Sequence, residues 1–139
     1  MNHTTNRHKT LYWVLTALFC IAMTLGGATE LLEVPRQVEG IRAIGYPLYI
    51  LPFLGVAKLL GVAAILYGKQ LRLKEWAYAG FTFDLLGAVY SHAMSAQFKE
   101  ALPPLIVMIL CLATYRLWRK DILVADADAM QFKPAGGLP

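Results

Sequence analysis

Residues 48–66, LYILPFLGVAKLLGVAAIL, form one apolar run broken by a single charge, Lys58. Residues 76–94, WAYAGFTFDLLGAVYSHAM, repeat the pattern and carry Asp84 and His92. An apolar stretch of about 18 or more residues with few charges is long enough to cross a bilayer as a helix. A charge at the centre of such a helix costs roughly 2.5–3.5 kcal/mol on insertion scales, so it faces protein, pairs, or marks a path for substrate or protons. By helical rise, Lys58 lies about 15 Å from one edge of its run and Asp84 about 12 Å from the opposite edge of its own. In a hydrocarbon core of about 30 Å both are near the midplane, which makes them an expected ion pair.

Two further runs flank this centre. Residues 11–30, LYWVLTALFCIAMTLGGATE, carry no charge until Glu30, and residues 102–118, LPPLIVMILCLATYRLW, none until Arg116. The chain is 58% hydrophobic and 16% charged, with a mean hydropathy of +0.50. A soluble domain of this length is far more polar. The first run is too long for the apolar region of a signal peptide and lacks a small-residue cleavage site, so it is expected to be a retained helix. The fold expected is an all-α membrane protein, an antiparallel up-down-up-down bundle of four transmembrane helices. Residues 11–120 would form the transmembrane domain, residues 1–10 an N-terminal tail and residues 121–139 a C-terminal tail whose Gly/Pro-rich end is expected to be disordered.

The basic residues set the orientation. Arg7, Lys9, Lys69, Arg72, Lys74, Arg116, Arg119, Lys120 and Lys133 fall on one side, against Arg36, Arg42 and Lys99 on the other. The positive-inside rule places both termini in the cytoplasm. This distribution follows topology and forms no aromatic-laced basic patch, so nucleic acid is not an expected partner; the lipid bilayer is.

Helical spacing identifies the inward faces. Gly80, Asp84, Gly87, Ala88 and Ser91 share one stripe, and Gly55, Lys58, Gly61 and Val62 another. Small residues let membrane helices approach closely and shelter polar neighbours from lipid. A second polar group gathers toward the outer leaflet: Glu30, Tyr46, Tyr49, Tyr90, Ser91 and His92. Glu30 with His92 is a possible proton-exchanging dyad, because imidazole titrates near neutrality; interfacial Tyr and His also serve as ordinary belt residues. The intramembrane site expected is therefore Lys58, Asp84, His92 and Glu30, lined by Tyr46, Tyr49, Tyr90 and Ser91, with the outer half of the bundle hollow enough for a small apolar or amphipathic molecule. Residues 31–47 cover that mouth as a short strand or interfacial segment, either as a lid or as a plain connector. Cys20 and Cys111 sit near mid-membrane and are either a redox pair or small hydrophobes. One intramembrane His gives no bis-His haem site, and no ligand spacing fits zinc, so neither haem nor metal is expected. Neither a glycine-rich nucleotide loop nor a Ser/Cys–His nucleophile arrangement is present.

The residues Gly45, Tyr46 and Pro47, the Gly55, Lys58 and Gly61 spacing, Glu75 to Phe81 (EWAYAGF), and Ser91 with His92 together resemble the DoxX-like family of small bacterial four-helix membrane proteins. The resemblance covers roughly residues 10–120. It implies a multi-pass protein of the bacterial cytoplasmic membrane and an association with quinone- or thiol-linked redox chemistry, as in relatives found with thiosulfate:quinone oxidoreductases. On that basis the chain would be an accessory subunit with redox partner proteins or a homo-oligomer, and quinone or another lipid-like molecule would be its ligand. The alternative is a small-molecule-binding membrane enzyme or proton-coupled carrier with its site inside the bundle.

Overall fold

The computed structural model describes residues 2–131, and these residues form helices and short connections with no strand among them. The order is α1 (Asn2–Leu31), α2 (Pro35–Ala43), α3 (Ile50–Tyr67), α4 (Leu71–Met94) and α5 (Phe98–Gln131). Three helices contain stretches long and apolar enough to cross a membrane, Arg7–Leu31, Ile50–Tyr67 and Phe98–Ala125. Helix continues through residues 2–10 and 121–131, beyond the apolar runs at both ends. The Gly/Pro-rich end expected to be disordered, from residue 132 on, lies outside the described residues.

Each long helix packs on two others: α1 on α3 and α5, and α4 on α3 and α5. Contact pairs give their directions. Across α1 and α3, Gly27 meets Lys58 and Leu31 meets Gly55. Across α3 and α4, Gly61 meets Phe81 while Lys58 meets Asp84. Across α4 and α5, Glu75 bonds Arg119 while Tyr78 stacks on Trp118. In each pair one number rises as the other falls, so neighbouring helices run in opposite directions.

The turn between α3 and α4 is tight because Gly68 adopts a left-handed φ of 64° at the C-cap of α3, a conformation that costs glycine little. Residues 31–47, expected as a short strand or interfacial segment, contain no strand but the helix α2. Pro35 opens it, where a missing N–H loses nothing and a fixed φ suits the first turn.

The core occupies the half of the molecule away from α2. Tyr12, Phe19 and Met23 from α1 meet Val62 and Ile65 from α3, Tyr78, Phe81 and Leu85 from α4, and Cys111 and Trp118 from α5. Phe19 stands edge-on to Phe81 at 5.1 Å and 90°, a favoured aromatic geometry. The outward faces carry exposed Trp13, Leu25, Phe53, Leu60, Ile106 and Ile109. A surface this apolar belongs in lipid, and the chain is a membrane protein.

Helix α4 is the one long helix without a qualifying apolar stretch. Its charged residues account for this, and two of them turn inward: Lys74 is buried and the Asp84 side chain is 19% exposed, whereas Arg72 is exposed in the first turn. Its outward residues are Trp76, Phe83, Leu86 and Tyr90, all exposed. At about 1.5 Å per residue its 24 residues extend about 36 Å.

The α1–α3 crossing gives a direct test of the packing. A Cβ on Gly55 would fall 2.7 Å from the Gly27 carbonyl oxygen and 2.8 Å from the Leu31 nitrogen, both backbone atoms. On Gly80 it would meet nothing within 4 Å. Gly55→Ala is expected to lower stability by about 1–3 kcal/mol, read as a lower Tm in detergent. Gly80→Ala should hold or raise the Tm, since alanine is the better helix former by about 1 kcal/mol.

Candidate functional site

The site is built on that crossing. Gly27 and Gly55 bring α1 and α3 so close that a Cβ on Gly27 would lie 3.0 Å from the Lys58 Cβ. Helical side chains lean toward the N-terminus of their own helix. In antiparallel helices they therefore lean toward each other: Lys58 reaches toward the α2 end while Glu30, in the last turn of α1, reaches back from it. Lys58 Nζ donates to Glu30 Oε1, and it lies 3.5 Å from Asp84 Oδ2 on α4. Side-chain exposures of 11% for Lys58, 12% for Glu30 and 19% for Asp84 place the cluster away from solvent. Glu30 Oε2 and Asp84 Oδ2 are buried and accept no hydrogen bond among the described residues.

Lys58 and Asp84 thus come together as expected, and Glu30 joins them. The cluster contains one carboxylate more than it has cations. At low local dielectric that imbalance matters, because an uncompensated buried charge is costly. The cluster is satisfied by one more positive charge or hydrogen-bond donor, delivered as a proton or by a ligand.

Above the cluster lies a cavity of about 290 Å³, lined by Glu30, Lys58 and Asp84 together with Tyr46, Leu54, Gly87, Ser91 and His92. Ligand pockets begin at about 300 Å³, so the space suits a small organic molecule. Helix α2 covers one side through Gln37, Gly40 and Ile41. It is tied down where Gln37 Nε2 donates to Thr29 Oγ1 at 3.0 Å. Tyr46 and Ser91 meet at 3.3 Å and join the α2–α3 connection to α4.

Two expected lining residues lie elsewhere. Tyr49 is 79% exposed and Tyr90 63% exposed, and neither borders the cavity. Tyr49 precedes the first turn of α3, and Tyr90 follows Phe83 and Leu86 on the outer stripe of α4. His92 and Glu30 share the cavity without forming a dyad: His92 Nδ1 donates to Gln97 Oε1 at 3.1 Å, whereas Glu30 is held by Lys58.

Comparison with protein families places this arrangement. The family model described as the DoxX-like family matches residues 14–114. The chain belongs to the DoxX-like family. No curated protein and no solved structure matches it. The matched span holds the whole carboxylate–lysine cluster and every residue lining the cavity.

Sequence reasoning missed a second buried lysine. The charge distribution groups Lys74 with the basic residues of one membrane side, yet it is in the first turn of α4 and only 6% exposed. Its ammonium donates to the Tyr12 hydroxyl at 2.7 Å, and it lies 5.3 Å from the Tyr12 ring centre and 5.1 Å from that of Trp118. Ring faces attract a cation electrostatically. The signal was present: Lys74, Tyr78, Phe81 and Leu85 recur at helical spacing on one buried stripe. Cys20 and Cys111 are both buried and free.

The cluster makes a prediction that a simple pair would not. Lys58→Met leaves two buried carboxylates facing each other and is expected to cost about 3–5 kcal/mol. Lys58→Met/Asp84→Leu should recover only part of the lost Tm, because Glu30 is still unpaired. Lys58→Met/Asp84→Asn/Glu30→Gln should recover most of it. Equal recovery in the double and triple variants would remove Glu30 from the cluster.

Proposed function

We propose that this DoxX-like protein spans a bacterial cytoplasmic membrane four times, with both termini in the cytoplasm, and binds a small amphipathic molecule in the outward-facing cavity. Helix α4 is the fourth span: its length suffices, Lys74 and Asp84 face protein, and Arg72 lies exposed at its very start. The orientation rests on the basic residues gathered at the termini and around the α3–α4 turn. Cysteines placed at Arg72 or Lys120 should react only with reagents that enter the cytoplasm, and labelling from outside would overturn the topology.

The observation that carries the binding function is a cavity whose floor is an ion cluster with a carboxylate in excess. Such a floor accepts hydrogen bonds and positive charge. The molecule it suits has a donor head, an ammonium or hydroxyl group, and its orientation is fixed by Glu30, Lys58 and Asp84. Tyr46, Ser91 and His92 form the polar rim.

The accessory role in quinone- or thiol-linked redox chemistry, with redox partner proteins or a homo-oligomer, rests on family kinship. The cavity adds one chemical condition to it. A quinol donates from its hydroxyls and suits this floor, whereas a quinone only accepts and would compete with the carboxylates for Lys58.

Thermal shifts in detergent with butylamine, butanol and butyrate at matched ionic strength test the site. Butylamine is expected to raise the Tm most and butyrate not at all. Gly87→Leu should abolish the shift, because it fills the cavity from a position where an added Cβ meets nothing within 4 Å. Stabilisation by butyrate alone, or a shift indifferent to Gly87→Leu, would overturn the reading.

A further inference from the structure

A second cavity, also of about 290 Å³, lies on the far side of the ion cluster between α3 and α4. It shares Leu54, Lys58 and Asp84 with the first, so the two meet at the charged residues. Its walls differ in kind. The outer cavity mixes Gln37, Tyr46, Ser91 and His92 with apolar Ile41, Ile44 and Ile50, whereas the second adds to the shared charges only aromatic and small apolar residues, Phe53, Ala57, Trp76, Ala77, Gly80 and Phe81. Ala57, Ala77 and Gly80 leave the slot open between the helices. Phe53 and Trp76 flank it on the lipid-facing surface, 70% and 80% exposed.

We infer that the bound molecule is a single-chain amphiphile drawn from the bilayer, its donor head on the Glu30–Lys58–Asp84 cluster and its apolar tail in the α3–α4 slot. This rests on the binding function proposed above and adds the tail, its place and the route. A bent space with acceptors at its centre, polar groups on one arm and aromatic and small apolar groups on the other complements a molecule divided in the same way. The tail gains little hydrophobic energy by leaving lipid for the slot, since both are apolar. What the slot provides is position: a molecule already dissolved in the membrane reaches the cluster sideways, without passing through water.

Gly80 is the natural control point, because an added Cβ there meets nothing within 4 Å and a larger side chain projects into the slot without disturbing the helix crossing. The probe is dodecylamine with a diazirine at the tail terminus, photolysed with the protein in nanodiscs and mapped by peptide mass spectrometry. The same experiment is run with excess butylamine, which has the head and lacks the tail. Label is expected on the slot residues, above all Phe53, Ala57 and Trp76; butylamine and Gly80→Leu should each reduce it to background. Label that butylamine displaces but that spreads over other lipid-facing helices would overturn the slot and leave the head site standing. Label on any residue that butylamine fails to displace would overturn the head site and with it this inference. Slot label that persists in a folded Gly80→Leu protein would overturn the placement of the tail.

Discussion

An ammonium group inside an apolar bundle needs partners that stabilise its charge, and Lys58 draws a carboxylate from each side. Glu30 on α1 and Asp84 on α4 both face it across α3. Three helices are thereby fixed relative to one another at the depth where lipid would otherwise be closest. The price is close helix contact, and Gly27 and Gly55 make it possible by letting the α1 and α3 backbones touch. Sliding either helix by one residue would carry its charge to another face, so register and charge pairing are the same constraint.

The bundle is asymmetric about that level. Below it, large aromatic side chains from α1, α4 and α5 interdigitate with Val62 and Ile65 of α3 and fill the interior. Above it, α4 contributes Gly87, Ala88 and Ser91, and the short helix α2 lies across the opening without filling it. Small residues on α4 at helical spacing thus do two things along one stripe. Beside the ion cluster Gly80 opens the α3–α4 slot, and toward α2 Gly87 opens the outer cavity; a Cβ at either would meet nothing within 4 Å. A hollow region beside a packed one is stable here because the packed half holds the helix angles.

Much of this was legible in the chain. The apolar runs gave the long helices, and the depth arithmetic brought Lys58 and Asp84 together, because helical rise is regular enough to compare positions on different helices. Glu30 was assigned to the cavity but to the wrong partner. Its place at the end of the apolar run suggests a level above Lys58, whereas side chains on antiparallel helices lean toward each other and bring Glu30 and Lys58 to a common height. Helix α2 was hidden by its brevity: its nine residues are amphipathic but fall short of the window of about 11–18 residues in which a helical period stands out. Tyr49 and Tyr90 were grouped with the cavity by proximity in sequence, but proximity does not determine which way a residue faces.

Lys74 shows the other way to hold a buried cation. No carboxylate is bonded to it among the described residues; Tyr12 offers a hydroxyl, and Tyr12 and Trp118 offer ring faces. The difference between the two lysines is chemically consequential. Aromatic rings cannot take up a proton and leave no acceptor in excess, so the Lys74 cage keeps a single positive charge and joins α1, α4 and α5 at one end. The carboxylates around Lys58 outnumber it, so that cluster is complete only with a further donor. One end of the bundle is closed by its own side chains, and the middle stays open to a donor from outside the chain.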